Sequence, residues 1–169
     1  AFLRATEVVD KMYKVSCEAR ANIAVVSPGG SPRDINLYQS LKAVVHALEI
    51  VADGGAVVLL AECPEGHGNR VFAEWMTKFG EARQIEREIN RRFVMGGHKA
   101  YYLAKALEKV KIYLLSTIPD YYVSTIFRLH SSRTANAALQ SALRAVGKDS
   151  KIVAIPHGSV TLPIPGEDT

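Results

Sequence analysis

Five short stretches gather the residues able to bind or transform a small polar molecule: Ser27-Pro28-Gly29-Gly30, Glu62-Cys63-Pro64-Glu65-Gly66-His67-Gly68, Gly96-Gly97-His98-Lys99, Ser116-Thr117-Ile118-Pro119-Asp120 and Pro156-His157-Gly158-Ser159. Glycines let backbone approach a ligand closely. Free amides at a helix N-terminus favour carboxylate or phosphate, and Lys99 at such a position adds a full positive charge. The chemistry indicated is recognition of a small anion with an imidazole nearby. Taken singly, each stretch reads more readily as a turn, so the argument rests on where the elements place them together.

His98 is suited to act as an acid, a base or a hydrogen-bond donor, and equally to cap the start of its helix. His67 and His157 are weaker candidates of the same kind. His46 lies mid-helix and His130 follows an apolar patch, so both read as structural. Gln39 and Lys42 stand one turn apart near the start of the first full helix, where they either reach the site or stay in solvent. The Phe72, Trp75, Phe79 stripe reads as core packing. No histidine pair has metal-ligand spacing, and neither GxGxxG nor GxxxxGK[ST] is present, so NAD and ATP are not indicated. Cys17 and Cys63 form no CxxC pair, which argues against a disulfide framework or zinc site; Cys63 reads as a small apolar residue.

The elements that must position these loops are legible from periodicity. Aliphatic runs at 23–27, 56–63, 111–116 and 151–155 each follow a helical pattern, the alternation that builds a parallel sheet. Asp34 is placed to cap a helix through Leu37, Leu41, Val44, Val45 and Leu48 that stops near Asp53-Gly54-Gly55, and further helices are expected over 71–79, 82–92, 98–110 and 135–146. Residues 5–13 carry helical spacing as well. Residues 13–18 fit either an edge strand or the end of that first helix, and the proline-containing tail 161–169 is expected to be loosely ordered. The predicted fold is α/β: a Rossmann-like three-layer sandwich with a mainly parallel sheet of four or more strands flanked by helices, residues 1–169 forming one domain. Ligands of such sheets bind beyond the carboxyl ends of the strands. A crossover helix runs back antiparallel to them, so the Gly96–Lys99 stretch opens toward that same edge.

Composition narrows the class. The 169 residues are 48% hydrophobic and 22% charged, with mean hydropathy close to zero, as in globular domains. The net charge of +4 is spread among acids, as in the run 81–88, which reads as a solvated helix rather than a nucleic-acid stripe. No apolar run is long enough to cross a bilayer. The expectation is a cytoplasmic domain without nucleic-acid or membrane partners, its oligomeric state open.

The ordered set Ser27-Pro28-Gly29-Gly30-Ser31-Pro32-Arg33-Asp34-Ile35-Asn36-Leu37-Tyr38-Gln39, then Lys42, the 62–68 loop, Gly97-His98-Lys99 and Pro156-His157-Gly158 resembles the C-terminal domain of the nickel-dependent lactate racemases, from about Tyr13 to Pro163. The resemblance implies an isomerase of two domains. Full-length members carry a nickel pincer nucleotide on an N-terminal domain, attached through a lysine, with one histidine completing the metal coordination and two more moving the proton. None of those residues is in this chain. The implied reaction passes a hydride from a 2-hydroxy acid to the cofactor and back to either face of the keto acid, while the C-terminal domain closes over the site.

Lys99 matches the family's substrate-contacting lysine, implying that it binds the carboxylate or polarises the hydroxy-acid oxygen. The expected site therefore has Lys99 and His98 as catalytic residues. Ser27, Gly29, Gly30, Asp34, Gln39, Lys42, Glu62, Gly96, Gly97 and His157 are expected to contact substrate or cofactor, and no metal ligand comes from this chain. Gly96 stands where the family's characterised member has a glutamine, so the implied substrate is a 2-hydroxy acid not fixed as lactate, with room for a larger one. The implied partners are the chain's own N-terminal domain and that acid. With the cofactor anchored elsewhere, the isolated chain is expected to bind none tightly and to be inactive. Two other readings account for the same glycines: a non-catalytic binding module for a small anion or nucleotide, and a purely structural domain whose motifs are turns.

Overall fold

The computed structural model describes residues 2–166. In chain order the elements are α1 (Phe2–Tyr13), β1 (Lys14–Cys17), β2 (Ala21–Val26), α2 (Leu37–Ala47), β3 (Val51–Leu60), α3 (Arg70–Lys78), α4 (Ala82–Arg91), α5 (Gly97–Lys109) and β4 (Lys111–Leu115). A π-helical turn (Tyr122–Ile126), β5 (His130–Ser132), α6 (Ala135–Val146), β6 (Ile152–Ile155) and β7 (Leu162–Pro165) complete them. Five strands form one sheet in the order β5-β4-β3-β2-β6, every pair parallel. β1 and β7 make a separate two-stranded parallel sheet.

Alternation along the strands divides the core. Ala24, Val26, Val57, Leu59, Ile112 and Leu114 point to one face and pack with Leu37, Leu41, Val44, Phe72, Ile85 and Leu103 from α2, α3, α4 and α5. Ile23, Ala56, Val58 and Tyr113 point to the other, where Ala138 and Ala142 of α6 cover them. The result is the expected α/β sandwich: a parallel sheet of five strands between helical layers. Among the described residues no helix is long and apolar enough to cross a membrane.

Several local expectations are corrected. The cap of α2 is Asn36, not Asp34: the Asn36 Oδ1 accepts from the Gln39 amide at 3.0 Å, one orphan donor of the first turn. Asn36→Ala is expected to cost about 1 kcal/mol in a urea melt; an unchanged midpoint would show that the cap contributes nothing. Asp53-Gly54-Gly55 does not stop that helix, which ends at Ala47, but lies inside β3. There the register with β2 shifts between Ala21 and Ile23, and Gly54 takes a left-handed φ of +81°, the mark of a bulge.

Residues 13–18 realise both readings, helix to Tyr13 and strand from Lys14. The segment expected to be loose is instead β7, with Lys14 opposite Leu162 and Cys17 opposite Pro165; the end of that expected tail, 167–169, lies outside the described residues. β5 and the π-helical turn were not foreseen, because His130-Ser131-Ser132 carries no apolar run and sits at the sheet edge. There the His130 ring stacks on Tyr113 with centroids 4.7 Å apart.

Candidate functional site

The loops beyond the carboxyl ends of the strands are tied to one another by backbone. After β2, the Ser27 Oγ accepts from the Gly29 amide at 3.1 Å, and Gly29 and Gly30 take φ of +108° and +72°. This is a turn that only glycine adopts without strain. Asp34 is buried; its carboxylate accepts from the Glu62 amide at 3.4 Å, and its carbonyl accepts from the Cys63 amide at 2.9 Å. It therefore joins the β2 and β3 loops. The Leu37 and Tyr38 amides donate to the Gly66 and His67 carbonyls at 2.9 and 3.3 Å, and the Thr117 amide after β4 donates to the Glu62 carbonyl at 2.8 Å. The Glu62 side chain itself is exposed.

The loop after β6 is held from two sides. The Gly158 amide donates to the Ser27 carbonyl at 2.7 Å, and the Gly158 carbonyl lies 2.7 Å from Nδ1 of His46. His46 is structural, as its mid-helix place indicated, and its task is to fasten this loop. His157 lies over Gly29: a Cβ added there would stand 3.1 Å from the His157 Nδ1.

The N-terminus of α5 is built from two glycines with no space for a side chain. Gly96, its cap residue, has φ +106°, and a Cβ on it would meet Asn69 Oδ1 at 2.3 Å; a Cβ on Gly97 would meet the Trp75 ring at 2.4 Å. The room expected at Gly96 for a larger acid is therefore filled by Asn69, which caps α3 through the Phe72 amide at 2.9 Å. The Trp75 stripe is core, as read, and it also seats this helix end.

Lys99 is only 8% exposed, and no described carboxylate pairs with it. Its Nζ lies 5.8 Å from the centroid of the Tyr38 ring. Burial, and then the like charge of Lys42, hold its amine below the usual lysine range. That coupling brings Lys42, itself exposed, into the same field. His98 is also held below its ordinary value, by burial first and then by Lys99, which favours neutral imidazole. Its ring is stacked on Phe93 at 5.9 Å and meets Tyr38 and Tyr102 edge-on, each at 6.1 Å. Its Nδ1 is buried without a hydrogen-bond partner among the described residues. A buried polar atom left unpaired costs free energy unless a ligand satisfies it. The Nδ1 of His67 is in the same condition, with its ring against Phe127 at 6.3 Å.

The structure thus brings together Lys99, His98, Lys42 and the bare end of α5, and it clusters Ser27, Gly29, Gly30 and His157 in a neighbouring set of joined loops. Asp34 serves as a brace. Gln39, half-buried, gives its amide to the cap of α2. Sequence reasoning did not single out Tyr38, Phe93, Met95 or Tyr102. The available signal was the presence of large apolar residues, Phe93 and Met95, immediately before the paired glycines, outside any helical period. Cys63 behaves as the small apolar residue expected: burial pushes its thiol up to about 11, and its Sγ rests 3.7 Å from the Ser40 Oγ. Among the described residues no three His, Cys, Asp or Glu side chains gather closely enough to hold a metal ion.

Fold and site together define a Rossmann-like α/β domain with a cationic, imidazole-bearing carboxyl edge. Residues 16–162 match the family model described as the lactate racemase C-terminal domain, and the chain belongs to that family. It is similar to the lactate racemase of Thermoanaerobacterium thermosaccharolyticum, 31% identical over 94% of this chain and 38% of the relative. It is also similar to that of Lactiplantibacillus plantarum, 24% identical over 81% of this chain and 33% of the relative. The solved lactate racemase apoprotein of T. thermosaccharolyticum superposes with a TM-score of 0.87 at 29% identity, over 96% of this chain and 40% of that one. A Thermotoga maritima protein of known crystal structure, 12% identical, shares the fold at a TM-score of 0.63 over 98% of this chain and 42% of its own. The chain spans about two fifths or less of the relatives it matches.

Proposed function

We propose that this chain is the substrate-covering domain of a nickel-pincer-nucleotide-dependent racemase or epimerase of 2-hydroxy acids, working with a cofactor-bearing domain outside it. The observation that carries the reading is Lys99, a buried ammonium without a carboxylate partner among the described residues, at the start of a 13-residue helix that has no side-chain cap. A buried charge without a partner is costly, and an acid's carboxylate supplies the missing one. When bound, the cofactor supplies hydride exchange at the hydroxyl-bearing carbon. The residues of this chain fit the acid rather than the metal.

In this reading Lys99 binds the carboxylate or polarises the oxygen, with Lys42 adding to the field. Gly96 and Gly97 let the start of α5 seat against Asn69 and Trp75, which sets His98 and Lys99 toward the ligand, while the Gly97 and Lys99 amides are already taken by the Val94 and Gly96 carbonyls. Neutral His98 donates at one ring nitrogen and accepts at the other, so it either orients the acid or holds a proton. Ser27, Gly29, Gly30 and His157 face the remainder of the substrate or cofactor from the adjoining loops, joined there by Gln39 and Glu62, while Asp34 keeps the loops in register.

The test is racemisation of a panel of 2-hydroxy acids by the longer polypeptide loaded with the cofactor, beside the 169-residue chain and the Lys99→Ala variant. Turnover is expected only in the longer protein and is expected to be lost in the variant with folding intact. Saturable binding of a small anion by the isolated chain, with no turnover of any acid, would instead support the non-catalytic binding module.

A further inference from the structure

The Gly96–Lys99 stretch is bracketed by large apolar side chains left in the open. Phe93 is 62% exposed, Met95 63% and Tyr102 45%. Single exposed apolar residues are ordinary, whereas a contiguous group marks a contact surface. These residues are contiguous: Phe93 and Tyr102 both touch the His98 ring, and Met95 Sδ lies 3.9 Å from the Tyr38 hydroxyl. Tyr38 closes the set on its inner side, because its ring meets both His98 and the Lys99 ammonium. A path of aromatic surface therefore runs outward from the buried charge.

We infer that this wall receives the side chain of the substrate, and that the acid accordingly carries an aromatic or branched apolar group in place of a methyl. The inference rests on the reading of Lys99 as the carboxylate anchor. A methyl group on the carbon next to that carboxylate is too short to cover the wall, while a benzyl or isobutyl group extends along it. The wall's charge pattern argues against a purely apolar protein surface as its occupant. Such a surface would leave the already buried Lys99 ammonium and His98 Nδ1, which have no hydrogen-bonding or carboxylate partner among the described residues, uncompensated, whereas an acid with an apolar tail satisfies the cation and covers the rings at once. Position 96 fits the same picture: it offers no side chain to engage a polar substituent, and none fits there.

The experiment compares kcat/KM for lactate, 2-hydroxyisocaproate and 3-phenyllactate in the complete cofactor-loaded protein, wild type and Phe93→Ala/Met95→Ala. Both residues are mostly exposed, so the double variant is expected to fold. The expected result is a preference of about tenfold or more for the larger acids over lactate, with the double variant losing about tenfold more on 3-phenyllactate than on lactate. Lactate turned over as well as or better than 3-phenyllactate overturns the inference and leaves the carboxylate anchor standing. An equal loss for all three acids in the double variant also overturns it, and assigns the wall to packing against another part of the protein. No turnover of any acid removes the anchor reading and the inference with it.

Discussion

Lys99→Met is expected to raise the stability of the domain and abolish its contribution to catalysis. The wild-type ammonium is buried, lacks a carboxylate partner among the described residues and is opposed by Lys42. Among the described residues, its approach to the Tyr38 ring at 5.8 Å is what offsets the desolvation. Methionine matches the length and fills the space without the charge, so a gain of about 1 kcal/mol is expected in thermal or urea melts. Loss of a preorganised cationic contact is expected to lower kcat/KM by about two to three orders of magnitude.

The sign with pH follows from the direction of the shift. An amine held low in the fold binds its proton less tightly there than in the unfolded chain, so wild-type stability rises as pH climbs from the lowered value toward the ordinary 10.5. The advantage of methionine is therefore full below the lowered value and shrinks across that window. Affinity for the acid's carboxylate begins to fall as pH rises through that lowered value, where the folded amine loses its charge. A less stable methionine variant would mean that Nζ already has a partner essential to the fold.

Gly158→Ala is expected to destabilise the domain and displace the site's edge. Its Cβ would stand 2.4 Å from Val26 Cγ2, 2.8 Å from Ala43 Cβ and 3.2 Å from the Ser27 carbonyl oxygen. Two of those neighbours are fully buried core atoms with no slack. Overpacking of this kind costs about 2–3 kcal/mol. Relief by moving the loop would break the Gly158 bonds to Ser27 and His46 and carry His157 away from Gly29. A urea midpoint shift together with displaced His157 and Gly29 resonances would register both effects; a variant within about 0.5 kcal/mol of wild type would show that the loop accommodates the methyl freely.

Much of this was legible beforehand. β2, β3 and β4 are interior strands, and β6, although it is an edge strand with half of its residues exposed, is aliphatic throughout, so the runs of all four stood out. β5 is an edge strand of His and Ser and β7 is defined by its pairing with β1 rather than by an apolar run, so local pattern did not reveal them, while the alternation over 13–18 offered β1 as one of two readings. Asp34 and Asn36 are both suitable caps two residues apart, and only the tertiary bond from Asp34 to Glu62 distinguishes brace from cap. Gly54 and Gly55 look like a helix stop but serve a bulge, since a side chain at Gly55 would strike the Asn22 carbonyl.

The site followed a similar division. Lys99 and His98 were visible because paired glycines precede them at a helix start, and the family resemblance pointed to the same residues. Tyr38, Phe93, Met95 and Tyr102 were not, because nothing in a sequence says which apolar residues are left uncovered.

The small sheet of β1 and β7 has a mechanical consequence. Because the two strands run parallel through four paired positions, tension between the start of β1 and the end of β7 would load those pairs side by side, in shear, rather than peel them one after another. A pull along the main chain is thus met by this clasp before it reaches the five-stranded sheet. The loops around Lys99 can then be carried as one rigid plate by whatever moves the domain.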